Sequence, residues 1–414
     1  MTKLMIIHAA EIATPIGKTA VSGSAMNQLK VIHDGAVVIE EGIIQAVGTT
    51  ESILKSFDAS LYSVINATNQ SLVPGFVDSH THFVFGGYRP DEFLRRLSGK
   101  SYMEIMEAGG GIENTVQATR ASSFEDLFQS GMSRLNEMMT YGVTTVEGKS
   151  GYGLDDENEI KQLEVMKKLN AAHSVDVVPT FLGAHAVPRE FAGRNSAYID
   201  FLIDNVLPEV ARKKLADYCD AFCEKGVISL DDSRRLLEKA KELGLHLKLH
   251  ADEIEALGGA ELAADLGATS ADHLLEASED GIARLAEAGV VATLLPATAF
   301  CLNKPYAPAR KMIDMNCAVA LASDLNPGSC FTGSVPLIFA LACIYMKMSG
   351  AEALTAFTLN GAAALNRADR IGSIEAGKEA DLLLLKYPSY TYLVYNTATN
   401  CVDRVIKKGK VIKN

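Results

Sequence analysis

The sequence predicts an α/β protein made of a (β/α)8 TIM barrel and a small β-sandwich domain built from both termini. Through the middle of the chain, short β-branched runs alternate with helical patterns, as in a barrel of parallel strands. Both ends instead carry strand pairs around tight glycine turns. No glycine-rich dinucleotide turn follows the first central strand, which disfavours a doubly wound open sheet. We expect the composite β domain at 1–70 and 366–414, and the barrel at 71–365.

The two ends of the chain have the same strand-turn-strand pattern. Near the N-terminus, the runs 30–40 and 43–48 flank Glu41-Gly42, which predicts a hairpin. Near the C-terminus, 380–385 and 404–412 are again strand-like, with a glycine turn inside the second run. The two ends are therefore expected to share one domain around the central one.

The central part of the chain predicts eight strands with helices between them. The strand-like runs are 76–84, 143–147, 175–182, 218–224, 245–250, 270–274, 290–295 and 318–324. Helical patterns cover 124–141, 157–173, 230–243, 257–266 and 281–288. Because the active site of such a barrel lies at the carboxyl ends of its strands, polar residues at those ends are the candidate functional residues.

The composition is that of an acidic globular protein. The 414 residues are 48% hydrophobic and 22% charged, with a formal charge of −12. This charge argues against nucleic acid or an anionic membrane as a partner, because both require basic surface. It allows a small anionic substrate held by one or two local cations.

Targeting signals and cysteine usage point to the cytoplasm. The first apolar run meets Glu11 too early for a signal peptide, and the longest one, 335–346, is too short to span a bilayer. The seven cysteines are odd in number and lie mostly in apolar segments, which is typical of reduced core thiols. We expect a cytoplasmic location, and a homodimer because two-fold dimers are the commonest oligomers.

The end of the first central strand predicts half of a metal site. His80 and His82 stand two residues apart after an apolar run, so their side chains point to the same face of the strand. Imidazole nitrogens are common metal ligands, and two at one strand end form a pair. The alternative for each alone is an ordinary histidine.

The ends of two later strands supply the remaining predicted ligands. His250 closes the fifth strand, and Asp324 closes the eighth, where an unpaired buried carboxylate would be costly. Three imidazoles and one carboxylate leave a position for water, as in catalytic rather than structural zinc sites, and this predicts hydrolysis at neutral pH. His246 has the same phase as His250 but lies deeper, which predicts a core histidine.

Two further polar residues follow these strands and are candidates for proton transfer. Glu253 lies just beyond His250, with a solvated loop acid as the alternative. His273 ends the sixth strand, with a core histidine as the alternative. Together with Asp324 they form the predicted catalytic set.

The motifs around these residues resemble the amidohydrolase superfamily along the whole chain, and within it the imidazolonepropionase family. The resemblance rests on 74–82, 82–89, 101–102, 109–112, 149–154, 181–185, 323–329 and 377–382. The end of the fourth strand has no lysine in a pattern that would indicate a carboxylated bridging ligand. The resemblance is therefore to members with one metal ion. It implies that His80, His82, His250 and Asp324 hold one divalent or trivalent ion per chain, zinc or iron.

The same resemblance implies a substrate and the residues that contact it. The reaction would be hydrolysis of the ring amide of 4-imidazolone-5-propanoate to N-formimidoyl-L-glutamate, in histidine degradation. The implied substrate-binding residues are Arg89, Tyr102, Tyr152, His185, Asn326, Gly328 and Ser329. Arg89 suits the propionate because a guanidinium binds a carboxylate with two hydrogen bonds. For Arg89 alone the alternative is a surface salt bridge, and for Tyr102 and Tyr152 it is aromatic packing.

Two other functions are compatible with the same metal ligands. A mononuclear deaminase of a cyclic amidine, of the cytosine or guanine type, would release ammonia, whereas ring opening would not. A non-catalytic metal-binding scaffold on a barrel is the second alternative, and Glu253 and His273 argue against it.

Overall fold

The computed structural model describes residues 3–99 and 110–412, which contain two sheets of eight strands each. The central sheet is parallel, and each strand pairs with the next one along the chain. Its strands, here called the first to eighth barrel strands, are Phe76–Asp78, Val143–Lys149, Asp176–Ala184, Tyr218–Cys223, His246–Ala251, Ser270–His273, Val291–Leu294 and Val319–Leu321. Each overlaps the run that predicted it, and the barrel prediction is confirmed.

The first and eighth strands meet at the end of the barrel that carries the predicted ligands. The Asp324 N–H donates to the His80 carbonyl, and the His82 N–H donates to the Leu325 carbonyl, both at 2.9 Å. The segments that carry three of the predicted ligands therefore also hold the two outer strands of the sheet together.

The second sheet is built from both termini, as the sequence predicts. The run 30–40 pairs antiparallel with 43–49, which confirms the hairpin. The strand Ser71–Pro74 pairs with both Lys3–Thr14 and Leu382–Leu385. The change of sheet thus comes after residue 74 rather than after residue 70, and the division into whole domains stays a prediction. The strands are Lys3–Thr14, Lys30–Glu40, Ile43–Thr49, Ser63–Asn66, Ser71–Pro74, Leu382–Leu385, Val402–Lys407 and Lys410–Ile412.

Helices connect the barrel strands, and side-chain caps define where several of them begin. Ser123 and Asp126 form a capping box, and Asp155 and Ser229 cap two further helices. The α-helices are Thr50–Ser56, Pro90–Leu97, Ile112–Ala121, Phe124–Thr140, Asp156–Ala172, Asn195–Phe201, Leu207–Lys213, Leu230–Glu242, Gly259–Leu266, Glu279–Ala288, Pro296–Leu302, Ala309–Asp314, Val335–Ile344, Gly350–Ala356, Leu359–Ala363 and Tyr392–Tyr395. Shorter 3-10 turns lie at Gly23–Asn27, Ala59–Leu61 and Arg189–Phe191, and a π-helical turn at Leu202–Val206.

Three details bear on the sequence predictions. All seven cysteines are free, and five of them are buried. Within the described ranges, every helix is too short or too polar to cross a membrane. The prediction that His246 is a core histidine was wrong: it begins the fifth strand at the amino end of the barrel, where its side chain is exposed to solvent.

Candidate active site

The four predicted metal ligands converge at the carboxyl end of the barrel. The Nε2 atoms of His80 and His82 lie 3.6 and 3.5 Å from Asp324 Oδ1. The Nε2 atoms of His82 and His250 are 3.4 Å apart. All four side chains are at least 97% buried. Three separate barrel strands thus bring three imidazoles and a carboxylate to one point.

The chemistry of these side chains fits a metal ion. Nε2 of His80 is fully buried and has no hydrogen-bond partner among the described residues, although a buried polar atom normally has one. Burial, together with Lys149 and the other histidines, lowers the pKa of His80 well below its usual value, so the ring is neutral. Burial and His185 do the same for the pKa of His82. Neutral imidazoles and a carboxylate are the forms in which these groups bind zinc or iron.

Carboxylates lie behind the rings of two of these histidines. Asp272 Oδ2 lies 2.6 Å from His80 Nδ1, and Asp220 Oδ2 lies 2.9 Å from His250 Nδ1. At His80 this contact is a hydrogen bond, which directs the opposite ring nitrogen toward the metal position and fixes the tautomer, whereas at His250 the carboxylate lies close to Nδ1 without hydrogen-bond geometry. Sequence reasoning missed both aspartates. The signal available in the sequence was a charged residue, Asp220 or Asp272, inside a strand-like run of mostly apolar residues.

A cluster of buried charges lies beneath the predicted metal position. The Lys149 ammonium donates to Asp220 at 2.7 Å and to Glu147 at 3.1 Å, and Lys248 lies 3.0 Å from Glu147. Burial alone would lower the pKa of Lys149, but the surrounding carboxylates outweigh burial and raise the pKa above its usual value. The lysine therefore carries its charge inside the barrel. Sequence reasoning missed this cluster too.

The two candidate proton-transfer residues lie beside the ligands. His273 Nδ1 is 3.6 Å from Glu253 Oε1, and the His273 ring centre is 5.1 Å from that of His250. Burial and the Asp324 charge raise the pKa of Glu253 to about 8. Because its ordinary pKa is near 4.5, this shift lets Glu253 carry a proton at neutral pH in the metal-free protein.

Several residues at the same strand ends have a left-handed backbone. His273 has φ of 77° and Asp324 has φ of 53°, in the left-handed region that non-glycine residues rarely adopt. Leu274 and Asp252 are also left-handed, with φ of 59° and 49°. Strained residues of this kind cluster at functional sites, where the surrounding fold maintains them. Both His273 and Asp324, which are candidate catalytic residues, are among them.

Aromatic residues predicted to contact the substrate line one side of the ligand cluster. The ring of His185 stacks on that of His82, with centres 4.9 Å apart, and its Nδ1 is 3.0 Å from the Gly151 carbonyl. Tyr152 packs against both rings, with centres 5.8 and 5.3 Å away. Burial and the neighbouring His250 lower the pKa of His185 to about 3, so its ring is neutral.

Arg89 lies against the loop that follows the eighth strand. Its Nη1 donates to Glu92 at 3.3 Å, while its buried Nε has no partner among the described residues. A Cβ atom added to Gly328 would lie 1.8 Å from Arg89 Nη2, so the absence of a side chain there leaves room for the guanidinium. Arg96, which sequence reasoning missed, donates to the Gly328 carbonyl at 2.7 Å.

The remaining predicted residues differ in how the structure places them. Asn326 accepts hydrogen bonds from the backbone N–H groups of Gly328 and Ser329, both at 2.8 Å. Its amide nitrogen donates to the Asp324 carbonyl at 2.7 Å and to the Ser329 hydroxyl at 2.9 Å. The side chain of Asn326 therefore shapes the loop, and its predicted substrate contact stays a prediction. Tyr102 lies outside the described residues.

Comparison with known proteins identifies relatives over the whole chain. Residues 71–412 match the model of the amidohydrolase family. The chain is 60% identical over 410 residues to a protein named imidazolonepropionase from Parabacteroides distasonis, covering 99% of each. It is 56% identical over 409 residues to one from Clostridium tetani, covering 99% of this chain and 98% of that protein.

Solved structures with a similar fold are more distant in sequence. A zinc-bound adenosine deaminase from Xanthomonas campestris has a TM-score of 0.67 at 21% identity, covering 99% of this chain and 92% of that one. An E. coli guanine deaminase has a TM-score of 0.71 at 15% identity, covering 100% of this chain and 99% of that one. At these identities the similarity shows the fold alone.

Proposed function

The chain belongs to the amidohydrolase family, within its imidazolonepropionase group, and from this premise we propose how its residues open the imidazolone ring. The reaction is hydrolysis of the ring amide C–N bond of 4-imidazolone-5-propanoate, which gives N-formimidoyl-L-glutamate. The observation that carries the proposal is the convergence of three histidines and one aspartate beside Glu253 and His273. Similarity to imidazolonepropionases over 99% of the chain supports this substrate over that of a deaminase.

Four side chains hold the metal ion in this proposal. They are His80, His82, His250 and Asp324, and the ion is zinc or iron, since nitrogen and oxygen ligands serve both. When bound, such an ion lowers the pKa of a coordinated water from 15.7 to about 7 and polarises a carbonyl oxygen.

Arg89 binds the propionate of the substrate. Its guanidinium has a buried Nε without a partner among the described residues, and its Nη1 donates to Glu92 at 3.3 Å. A planar guanidinium matches a carboxylate with two parallel hydrogen bonds. In a protein with a formal charge of −12, such a local cation is needed to hold an anionic substrate. Tyr152 and His185 pack beside the ring of the substrate.

Glu253, His273 and Asp324 handle the protons. The attacking water loses a proton to a carboxylate, for which the candidates are Asp324, beside His80 and His82, and Glu253, beside His273. The ring nitrogen gains a proton as the C–N bond breaks, and Glu253, with its raised pKa, suits that delivery. His273 polarises the ring carbonyl by hydrogen bonding.

Replacing Arg89 tests the substrate contact. For Arg89→Met we expect KM for imidazolone propionate to rise about 10- to 100-fold, the effect of one charge-assisted hydrogen-bonded pair. The turnover number should change less, because the guanidinium is distant from the reacting bond. The matched control is Arg95→Met, since Arg95 is an exposed arginine on the helix Pro90–Leu97, which begins directly after Arg89. An unchanged KM for Arg89→Met would remove this residue from substrate binding.

Replacing Gly328 tests the contact between Arg89 and the substrate without changing Arg89 itself. A Cβ at this position would lie within 1.8 Å of Arg89 Nη2, so Gly328→Ala displaces the guanidinium. We expect a rise in KM of about tenfold with little loss of stability, because Gly328 is partly exposed in a loop. Steady-state kinetics and thermal unfolding measure the two effects. Adding the variant to Arg89→Met should raise KM no further, since both act on one group.

A direct assay distinguishes ring opening from deamination. We expect the ultraviolet absorbance of imidazolone propionate to fall when the protein is added, without release of ammonia. Guanine and cytosine should give no ammonia. Ammonia from either base, with imidazolone propionate unchanged, would contradict the proposed substrate. Metal binding without turnover of any of the three compounds would favour the non-catalytic alternative.

Two further expectations are part of the proposal. We propose that the protein acts in the cytoplasm, where free cysteines such as the seven found here remain reduced. We also propose that it forms a homodimer, which sedimentation of the purified protein tests directly.

A further inference from the structure

We propose that Lys149 is a positioning residue that couples the two carboxylates behind His80 and His250, and thereby sets the affinity of the site for its metal ion. The inference rests on the proposed metal ligands. It concerns a lysine that lies at the carboxyl end of the second barrel strand and touches none of the reacting atoms.

One ammonium contacts both carboxylates. Lys149 Nζ lies 2.7 Å from Asp220 Oδ2 and 3.5 Å from Asp272 Oδ2. These are the same two oxygen atoms that face the ligand rings, at 2.9 Å from His250 Nδ1 and 2.6 Å from His80 Nδ1. Lys149 therefore acts on the atoms that orient the rings, and any shift of its ammonium changes both orientations together.

The other oxygen of each carboxylate has hydrogen-bond partners of its own. The second oxygen of Asp220 accepts from the backbone N–H groups of Ala221 and His250, at 2.7 and 3.1 Å. The second oxygen of Asp272 accepts from the Ser270 hydroxyl at 2.6 Å. The bond from His250 ties Asp220 to the fifth strand, and the other two bonds stay within the strand of each carboxylate, so none of them joins Asp220 to Asp272. Lys149 supplies that contact between the fourth and sixth strands.

The contacts of Lys149 differ from those of the buried lysine Lys248. Lys248 donates to the Ser79 carbonyl at 2.7 Å and lies 3.0 Å from Glu147. It comes within 3.7 Å of Asp272, and its described ion pairs do not include Asp220. Both lysines are fully buried and both neutralise carboxylates, so they share any general contribution to folding. Lys149 alone of the two links both ring-orienting carboxylates, which makes Lys248 the matched control.

The test compares the zinc affinity of variants with the stability of their metal-free forms. Lys149→Met removes the ammonium and keeps the length of the side chain, and Lys248→Met does the same for the control. Because removing one partner of a buried ion pair is strongly destabilising, Lys149→Arg and Lys248→Arg are made in parallel. The dissociation constant for Zn²⁺ is measured by competition with a chromophoric chelator, and thermal unfolding is followed without metal.

We expect the folded Lys149 variants to bind Zn²⁺ about 10- to 100-fold more weakly than the unchanged protein, the usual effect of losing a residue that orients metal ligands. Folded Lys248 variants should stay within about threefold, even where their metal-free forms unfold at lower temperature. Affinity within threefold for Lys149 variants would overturn the inference, as would an equal loss for Lys248 variants. Failure of both Lys149 variants to fold would also overturn it, because the lysine would then serve the barrel as a whole.

The same measurement keeps this inference separate from the proposed function. If the unchanged protein binds no Zn²⁺ tightly, the proposed ligands themselves are wrong. If it binds one ion per chain and the Lys149 variants bind equally well, only the role of Lys149 is wrong.

Discussion

We expect the Asp324→Asn variant to lose nearly all activity, with kcat/KM for imidazolone propionate falling by about 10⁴-fold or more. The substitution keeps the size of the side chain but removes the only anionic metal ligand in the proposed set. It also removes a proton acceptor, so two contributions to the rate are lost at once. Bound metal should fall in parallel, which elemental analysis of the purified variant measures.

Thr298→Val provides a graded comparison for that result. The Thr298 hydroxyl donates to Asp324 Oδ2 at 2.6 Å, and valine removes this bond while keeping the carboxylate. We expect a loss of about 10- to 100-fold, as for other residues that orient a ligand. If Asp324→Asn retained a tenth of the activity, or lost less than Thr298→Val, Asp324 would be neither an essential ligand nor the proton acceptor.

The second large effect is expected for Glu253→Gln. The amide is close in shape to the carboxyl group but transfers no proton, so kcat should fall about 10²- to 10⁴-fold. Metal content should stay at one ion per chain, because Glu253 is not among the proposed ligands. The measurement is kcat with metal content determined on the same sample.

Glu255→Gln is the matched control for Glu253→Gln. Glu255 lies two residues further along the same loop, is about half exposed and pairs with Lys225 at 2.9 Å. Its replacement should leave kcat within about twofold, as for most surface substitutions. Near-normal turnover of Glu253→Gln at full metal loading would remove Glu253 from catalysis and leave Asp324 as the principal base.

The barrel and the strand ends that carry the proposed ligands were predictable because each is a local pattern. A short apolar run that ends in a polar residue indicates a buried strand with a side chain at its tip, as for His250 and Asp324. His80 and His82 follow the first strand, which ends at Asp78, and their side chains still reach the same site, as the alternation predicts. These features are short local patterns, and a single sequence contains them.

The groups behind the ligands were not predictable in the same way. Asp272 and His80 are 192 positions apart, and their contact exists only once the barrel brings the sixth strand opposite the first. Lys149 likewise meets Asp220 on the fourth strand and Asp272 on the sixth, whereas its contact with Glu147 lies along its own strand. The order of residues within each strand indicates which way a side chain points, but not which partner it meets across the barrel.

Two other residues show what pattern and motif leave undetermined. The alternation of side chains places His246 on the same face as His250. It does not show that the strand begins at His246, whose side chain is exposed to solvent. The motif around Asn326 predicts a substrate contact, which stays a prediction, and the structure adds that the polar atoms of this side chain also hydrogen-bond within the loop. A motif preserves a residue type without showing whether the side chain faces a ligand or its own backbone.

The central claim is that ring opening takes place at one metal ion held by His80, His82, His250 and Asp324. It is tested most directly by adding Zn²⁺ or Fe²⁺ stepwise to metal-free protein and following the absorbance of imidazolone propionate. We predict that the rate rises in proportion to added metal and levels off at one ion per chain. Full turnover by the metal-free protein, or no turnover at one bound ion per chain, would contradict the claim.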